Sequence, residues 1–332
     1  MWQPHRMPAR LSLLLVAVVL VAAVVGGLLL GTGGEEPEAS EVEVPPLRVG
    51  AGPDAESLLL AHVLVALLAD GEIDAEVVAF GEARDTRQAL ERGDVELRPA
   101  YTGEAWLEVL GRADPPSDPR ASFEEVRAHD AEDGLVWFRP PFLDGVAQPP
   151  ANATFAFVVA GPPSIDADLT TVSQLASRLS AQPDAALCVD PEFASRRDGL
   201  RAVLAAYSVR SDQPVLAAGP AEAVRGVAAG DCIAGLTTAT DGQAWAAGLR
   251  PLSDDLGVFP AFVVLPQVRR DTLLDRPPVT AAIRPLAAQL TTALLGGWNA
   301  EVHRGRPVEE VAAAGATELR QRAGLPPVAP AP

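Results

Sequence analysis

The side chains that could do chemistry in this chain are few, and their spacing excludes most covalent reactions. His5, His62, His129 and His303 share no metal-ligand spacing, and no His-Glu-x-x-His run occurs. There is no Gly-x-Ser-x-Gly elbow, and the loop GAGPDAES, residues 50–57, is only a broken echo of a phosphate-binding glycine fingerprint. All 26 basic residues are arginine, which rules out both a Schiff-base lysine and a P-loop lysine. No Ser-His-Asp constellation is supported by spacing. These absences make an enzyme the minority reading, and no metal or cofactor is expected. One stretch stands apart. ELRPAYTGEAW, Glu96 to Trp106, puts one of only two tyrosines at the end of a strand-like run, just before Thr102-Gly103 and a helix-like pattern. Packing alone does not explain Tyr101 there. A ring at the carboxyl end of a strand can face a ligand.

The elements that must carry that ring follow from hydrophobic periodicity. LRVGAG reads as a strand, AESLLLAHVLVALLAD as a helix, IDAEVVAF as a strand, RDTRQALERGD as a helix and VELRPAY as a strand. This β-α-β-α-β rhythm predicts a mostly parallel sheet flanked by helices, with ligands collecting at Tyr101, Thr102 and the loop from Ala51 to Glu56. The rhythm returns in ATFAFVVAG, TTVSQLASRL, AALCVD, DGLRAVLAAYS, PVLAAG, AEAVRGVAAGD and CIAGLTTAT. VFPAFVVLP then reads as a strand, and AAIRPLAAQLTTALLG and PVEEVAAAGATELRQRAG as helices. The 332 residues suit about two domains. Two α/β lobes with a cleft between them are the economical solution.

Charge and the N-terminus bound the compartment. A net charge of −18 argues against nucleic acid as a partner, because phosphate binding needs a positive face. Leu11 to Leu30 carries no charge and is long enough to span a bilayer of about 30 Å. Arg6 and Arg10 precede it and Glu35, Glu36, Glu38, Glu41 and Glu43 follow, which orients the rest of the chain outside the cytoplasm. Residues 1–30 are expected to be a cytoplasmic stub and transmembrane anchor, with a cleaved signal and a secreted or periplasmic protein as the alternative; residues 31–46 read as a solvated tether. Cys188 and Cys232 lie in short apolar runs. Outside the cell they are expected to pair, the alternative being two separate buried thiols.

Six segments, in order, carry a resemblance to a known family. They are RVGAGPDAES, ALERGDVELRPAYTGEAW, DGLVWFRPPFLDGVAQPPANATFAFVV, DPEFASRRDGLRAVLAAY, TTATDG and GVFPAFVVLP. From Leu47 to about Leu325 the chain resembles the substrate-binding proteins of osmoprotectant ABC importers, the glycine betaine, choline and carnitine type. The resemblance implies a two-lobed, type II periplasmic-binding-protein-like α/β fold. Lobe one would comprise residues 47–152 and 254–332, and lobe two residues 153–253. It implies capture of a small compatible solute in the cleft, hinge closure, and delivery to ABC permease subunits by a monomer. Such proteins hold a quaternary ammonium among aromatic rings, because that cation has no N–H to donate. Carried over residue by residue, the resemblance assigns ligand binding to Tyr101, Thr102, Phe155 and Phe262, and carboxylate binding to Arg196, with Arg197 as the adjacent alternative. Thr238 stands where the family has a further ring, and Gly52 where it has a lysine. Glu104 replaces a small residue or threonine and either faces the cleft or points to water. A different polar solute such as an amino acid, or a sensory lobe pair that has lost binding, are the alternatives.

Overall fold

The first βαβαβ run folds because each element has its own start and stop. Strand β1 (Leu47–Ala51), helix α1 (Ala55–Ala69), β2 (Ala75–Ala79), α2 (Ala83–Arg92) and β3 (Leu97–Tyr101) follow in order. Asp54 caps α1 by accepting from Ser57 N at 2.7 Å. Gly93 ends α2 at φ 81°, a left-handed conformation that suits a residue without Cβ. Leu59, Leu60, Val63, Leu64, Leu67 and Leu68 of α1 are fully buried in the larger core. Helices α3 (Thr102–Glu108) and α4 (Pro119–Glu132) and strand β4 (Leu135–Trp137) complete this pass.

A computed structural model describes residues 44–140, 149–162, 164, 168–197, 199–210 and 212–326. The expected membrane helix at 11–30 and most of the tether lie outside the described residues. Among the described residues no helix is long and apolar enough to cross a membrane.

The second sheet is built from β5 (Phe155–Ala160), β6 (Leu187–Val189), β7 (Val215–Ala217), β8 (Ala234–Thr238) and β9 (Leu249–Pro251). Helices α5 (Val172–Ala181), α6 (Pro191–Ser195), α7 (Leu200–Ala206), α8 (Pro220–Ala229) and α9 (Gly242–Ala246) connect them. The chain returns to the first sheet as β10 (Val264–Arg269). It finishes in α10 (Arg270–Asp275), α11 (Pro278–Gln289), α12 (Thr292–His303) and α13 (Val308–Arg322).

The sheets are mixed, which refines the mostly parallel expectation: in each, one strand of five runs against the other four. Strand orders are β2-β1-β3-β10-β4 and β7-β6-β8-β5-β9. In the first, β1 is parallel to β2 and β3, but β10 is antiparallel to β3 and β4. In the second, β6 is parallel to β7 and β8, but β5 is antiparallel to β8 and β9. The two reversed strands are the ones that arrive from the other lobe. They enter at the cleft edge, where the parallel strands end: Val264 pairs with Tyr101 and Phe155 with Thr238.

Two further expectations are corrected. Only the last part of VFPAFVVLP is strand, because residues 258–263 are spent on the crossing. AAIRPLAAQLTTALLG is not one helix. It breaks between α11 and α12, where Leu290 O accepts from Ala151 N at 3.0 Å and Thr292 Oγ1 from Asn152 N at 3.1 Å. Those bonds hold the first crossing, which in turn pairs with the second through Ala153 N to Phe262 O (3.0 Å) and Val264 N to Ala151 O (2.9 Å).

Cys188 of β6 and Cys232, just before β8, are joined by a disulfide. Both sulfurs lie under α8 at Gly226, where a Cβ would come within 2.6 Å of Cys188 Sγ.

Candidate ligand-binding site

The strand registers bring residues far apart in sequence to one cleft of about 780 Å³ between the two sheets. Tyr101, at the end of β3, lines it and is 8% exposed. Phe262 reaches it from the second crossing. Phe155, at the start of β5, lines it and is 37% exposed, backed by Phe193 and Phe259 with ring centroids 5.3 and 6.5 Å away. Thr238, opposite Phe155 in the register, is an exposed hydroxyl on the same wall. Three rings and Thr238 therefore share the cleft.

Two expected ligand residues do not reach it. Thr102 is fully buried, and its groups are committed to the crossing. Its N–H donates to Val263 O at 3.1 Å, and its Oγ1 accepts from Val263 N at 3.1 Å. Arg196 is exposed at the end of α6, and its guanidinium lies 5.9 Å from the ring centre of Phe193. It is one ring behind Phe155 and not in the wall. Arg197 is exposed and also outside the lining.

Glu104 does face the cleft. Burial raises its carboxyl to about 7, partly offset by attraction from Arg98. Glu56, on the first turn of α1, was not singled out from sequence. It accepts from the Tyr101 hydroxyl at 3.0 Å and from Asn299 Nδ2 at 2.6 Å. Burial pushes its carboxyl up, and those hydrogen bonds pull it back. Burial and the neighbouring Glu56 also push the Tyr101 phenol well above its ordinary value. Asn299 Nδ2 further donates to Thr240 O at 2.9 Å, so one amide ties α12 to the loop after β8. The place of Glu56 at the end of the 51–56 loop, which follows the carboxyl end of β1, was a usable signal. Asn299, inside the run GGWNAEVH, gave none.

The cleft thus presents apolar ring faces, hydroxyls and buried carboxylates, the groups that can hold a small polar or cationic solute. Comparison with known proteins agrees. The OpuAC family, described as the substrate binding domain of the ABC-type glycine betaine transport system, matches residues 45–315. The chain belongs to this family. As a substrate-binding domain it is the capture component of a transporter, acting outside the cytoplasm, and not an enzyme. It is 27% identical over 273 residues to the glycine-betaine-binding protein of Pseudomonas aeruginosa, covering 80% of this chain and 84% of that one. Among solved structures, apo YehZ from Escherichia coli is 27% identical, with a TM-score of 0.74 over 84% of this chain and 99% of that one. A glycine betaine/carnitine/choline ABC transporter protein shares the fold at 22% identity, with a TM-score of 0.71 over 84% and 98% of the two chains.

Proposed function

We propose that this substrate-binding domain captures a quaternary ammonium compatible solute between Tyr101, Phe155 and Phe262, and passes it to the permease of its ABC importer as a monomer. Residues 11–30 would hold it to the outer face of the cell membrane. The observation that carries the reading is the shared lining: Phe155 from one sheet, Tyr101 from the other and Phe262 from the crossing meet one cavity. A cation without N–H donors loses its hydration there and regains attraction from ring faces, at about 0.5–2 kcal/mol per ring. Thr238 supplies a hydroxyl on the same wall. Carboxylate binding by Arg196 is not carried forward, because its guanidinium stacks on Phe193 outside the lining.

Calorimetry with glycine betaine, choline, carnitine, proline betaine and ectoine tests this reading. At least one quaternary solute should bind, and Phe155→Ala or Phe262→Ala should weaken it about tenfold or more. No binding by any of them would overturn it. The membrane claim is tested separately, by the N-terminal mass of the mature protein and by its partition with the membrane fraction.

A further inference from the structure

Among the described residues four carboxylates line the cleft, and three are already engaged by the protein. Asp54 accepts from Ser57 N at 2.7 Å. Asp241 accepts from Ala244 N at 2.8 Å and from the Thr237 hydroxyl. Glu56 holds Tyr101 and Asn299. The Glu104 carboxylate has no hydrogen bond and no ion pair among the described residues. Arg98 attracts it but forms no ion pair with it. The Arg98 guanidinium donates instead to Gln267 Oε1 and Thr86 Oγ1, each at 2.9 Å, inside the lobe. Among the described residues no arginine lines the cleft, and the chain has no lysine. Among the described residues that line it, His303 is the one side chain of a basic type.

Two kinds of quaternary solute would meet this wall differently. A zwitterion brings a carboxylate into a cleft that offers four carboxylates and no guanidinium. A cation without a carboxylate brings only the charge that Glu104 lacks. In a partly desolvated cavity both the repulsion and the attraction exceed their values in water. The rings serve the ammonium end equally in both cases, so the difference rests on the carboxylates.

Resting on the solute-binding reading above, we propose that the cleft selects monocationic amines without a carboxylate, choline being the simplest quaternary case, over zwitterions such as glycine betaine, and that Glu104 sets this choice. The raised carboxyl of Glu104 fits an unneutralised acid waiting for a counter-ion. A bound cation would favour its ionised form, so affinity for the cation rises as pH rises through about 7.

The test is calorimetric titration of the purified full-length protein with choline and with glycine betaine at pH 6 and pH 8. Wild type should bind choline at least tenfold more tightly than glycine betaine at pH 8, and the preference should shrink at pH 6. Glu104→Gln should weaken choline at least tenfold and glycine betaine less than threefold; Glu104→Asp should keep the preference. Glu104→Gln should also melt no lower than wild type, which separates lost affinity from lost folding. Equal or tighter binding of glycine betaine by wild type overturns the inference, as does a Glu104→Gln variant that weakens both solutes alike. In either case ring-dependent binding would leave the solute-binding reading standing. If wild type binds no solute of the wider panel, that reading fails and this inference fails with it.

Discussion

The ring of Phe262 lies directly over Gly103. A Cβ at position 103 would sit 2.6 Å from three carbons of that ring, closer than real contacts allow. The glycine after Tyr101-Thr102 thus leaves room for a side chain of the protein and not for the solute. Gly103→Ala should displace Phe262 or the start of α3, at a cost of about 1–3 kcal/mol. It should also weaken solute binding, because one of the three rings moves. Thermal melts and calorimetry on the same preparation would report both effects.

Glu104 predicts a pH dependence of stability. Its folded carboxyl titrates near 7, above the ordinary 4.5. A raised acid pKa favours the protonated fold. Stability is therefore full below about pH 4.5 and is lost as pH rises toward 7, because only the unfolded chain ionises freely in that window. The loss from this residue is on the order of 3 kcal/mol. Glu56 shifts in the same direction, so the informative quantity is the difference between wild type and Glu104→Gln. Denaturant midpoints at pH 4.5 and pH 8 should show a steeper fall for wild type.

Thr102 predicts a defect of the second crossing and not of the cleft. Thr102→Val removes an acceptor for Val263 N and leaves that donor buried. Stability should fall by about 1–3 kcal/mol, while intrinsic solute contacts stay unchanged. Thr102→Ser should recover most of the loss. A Ser variant as unstable as Val would sink the hydrogen-bond explanation.

The disulfide closes 44 residues of sequence. Chain entropy alone gives it about 4 kcal/mol against the unfolded state. Replacing both cysteines with alanine should lower the melting temperature, and mild reductant should do the same to wild type but not to the variant. The sulfurs lie under α8, whose first residues, Pro220 and Ala221, line the cleft. Loss of the bond should therefore loosen that wall as well.

What could be read in advance divides along the range of the interactions. The βαβαβ rhythm of the first lobe was legible because caps such as Asp54 and Gly93 are local. Tyr101 was legible for the same reason: it ends a strand in a parallel run. Strand direction was not legible for β5 and β10, because it depends on which lobe the chain arrives from. The split between α11 and α12 was hidden because Leu290 and Thr292 answer to residues 151 and 152, about 140 positions away. Thr102 and Arg196 were misplaced for a related reason. A sequence pattern carries the position of a side chain along an element, but not what its polar groups are already bonded to. The family resemblance supplied Phe155 and Phe262, whose apolar surroundings would otherwise read as ordinary core.

Helix α12 bridges the two halves along its length. Thr292, at its start, holds Asn152 of the first crossing. Asn299, further along, holds Thr240 O, and Arg304, just past its end, donates to Ala246 O at 3.1 Å. Between them the indole of Trp245 rests on Gly296, where a Cβ would be 2.2 Å from Nε1. A helix pinned to both bodies in this way is a shared strut: any displacement of one half against the other must break or stretch Asn299 to Thr240 and Arg304 to Ala246, so these two bonds are where such a displacement would be felt first.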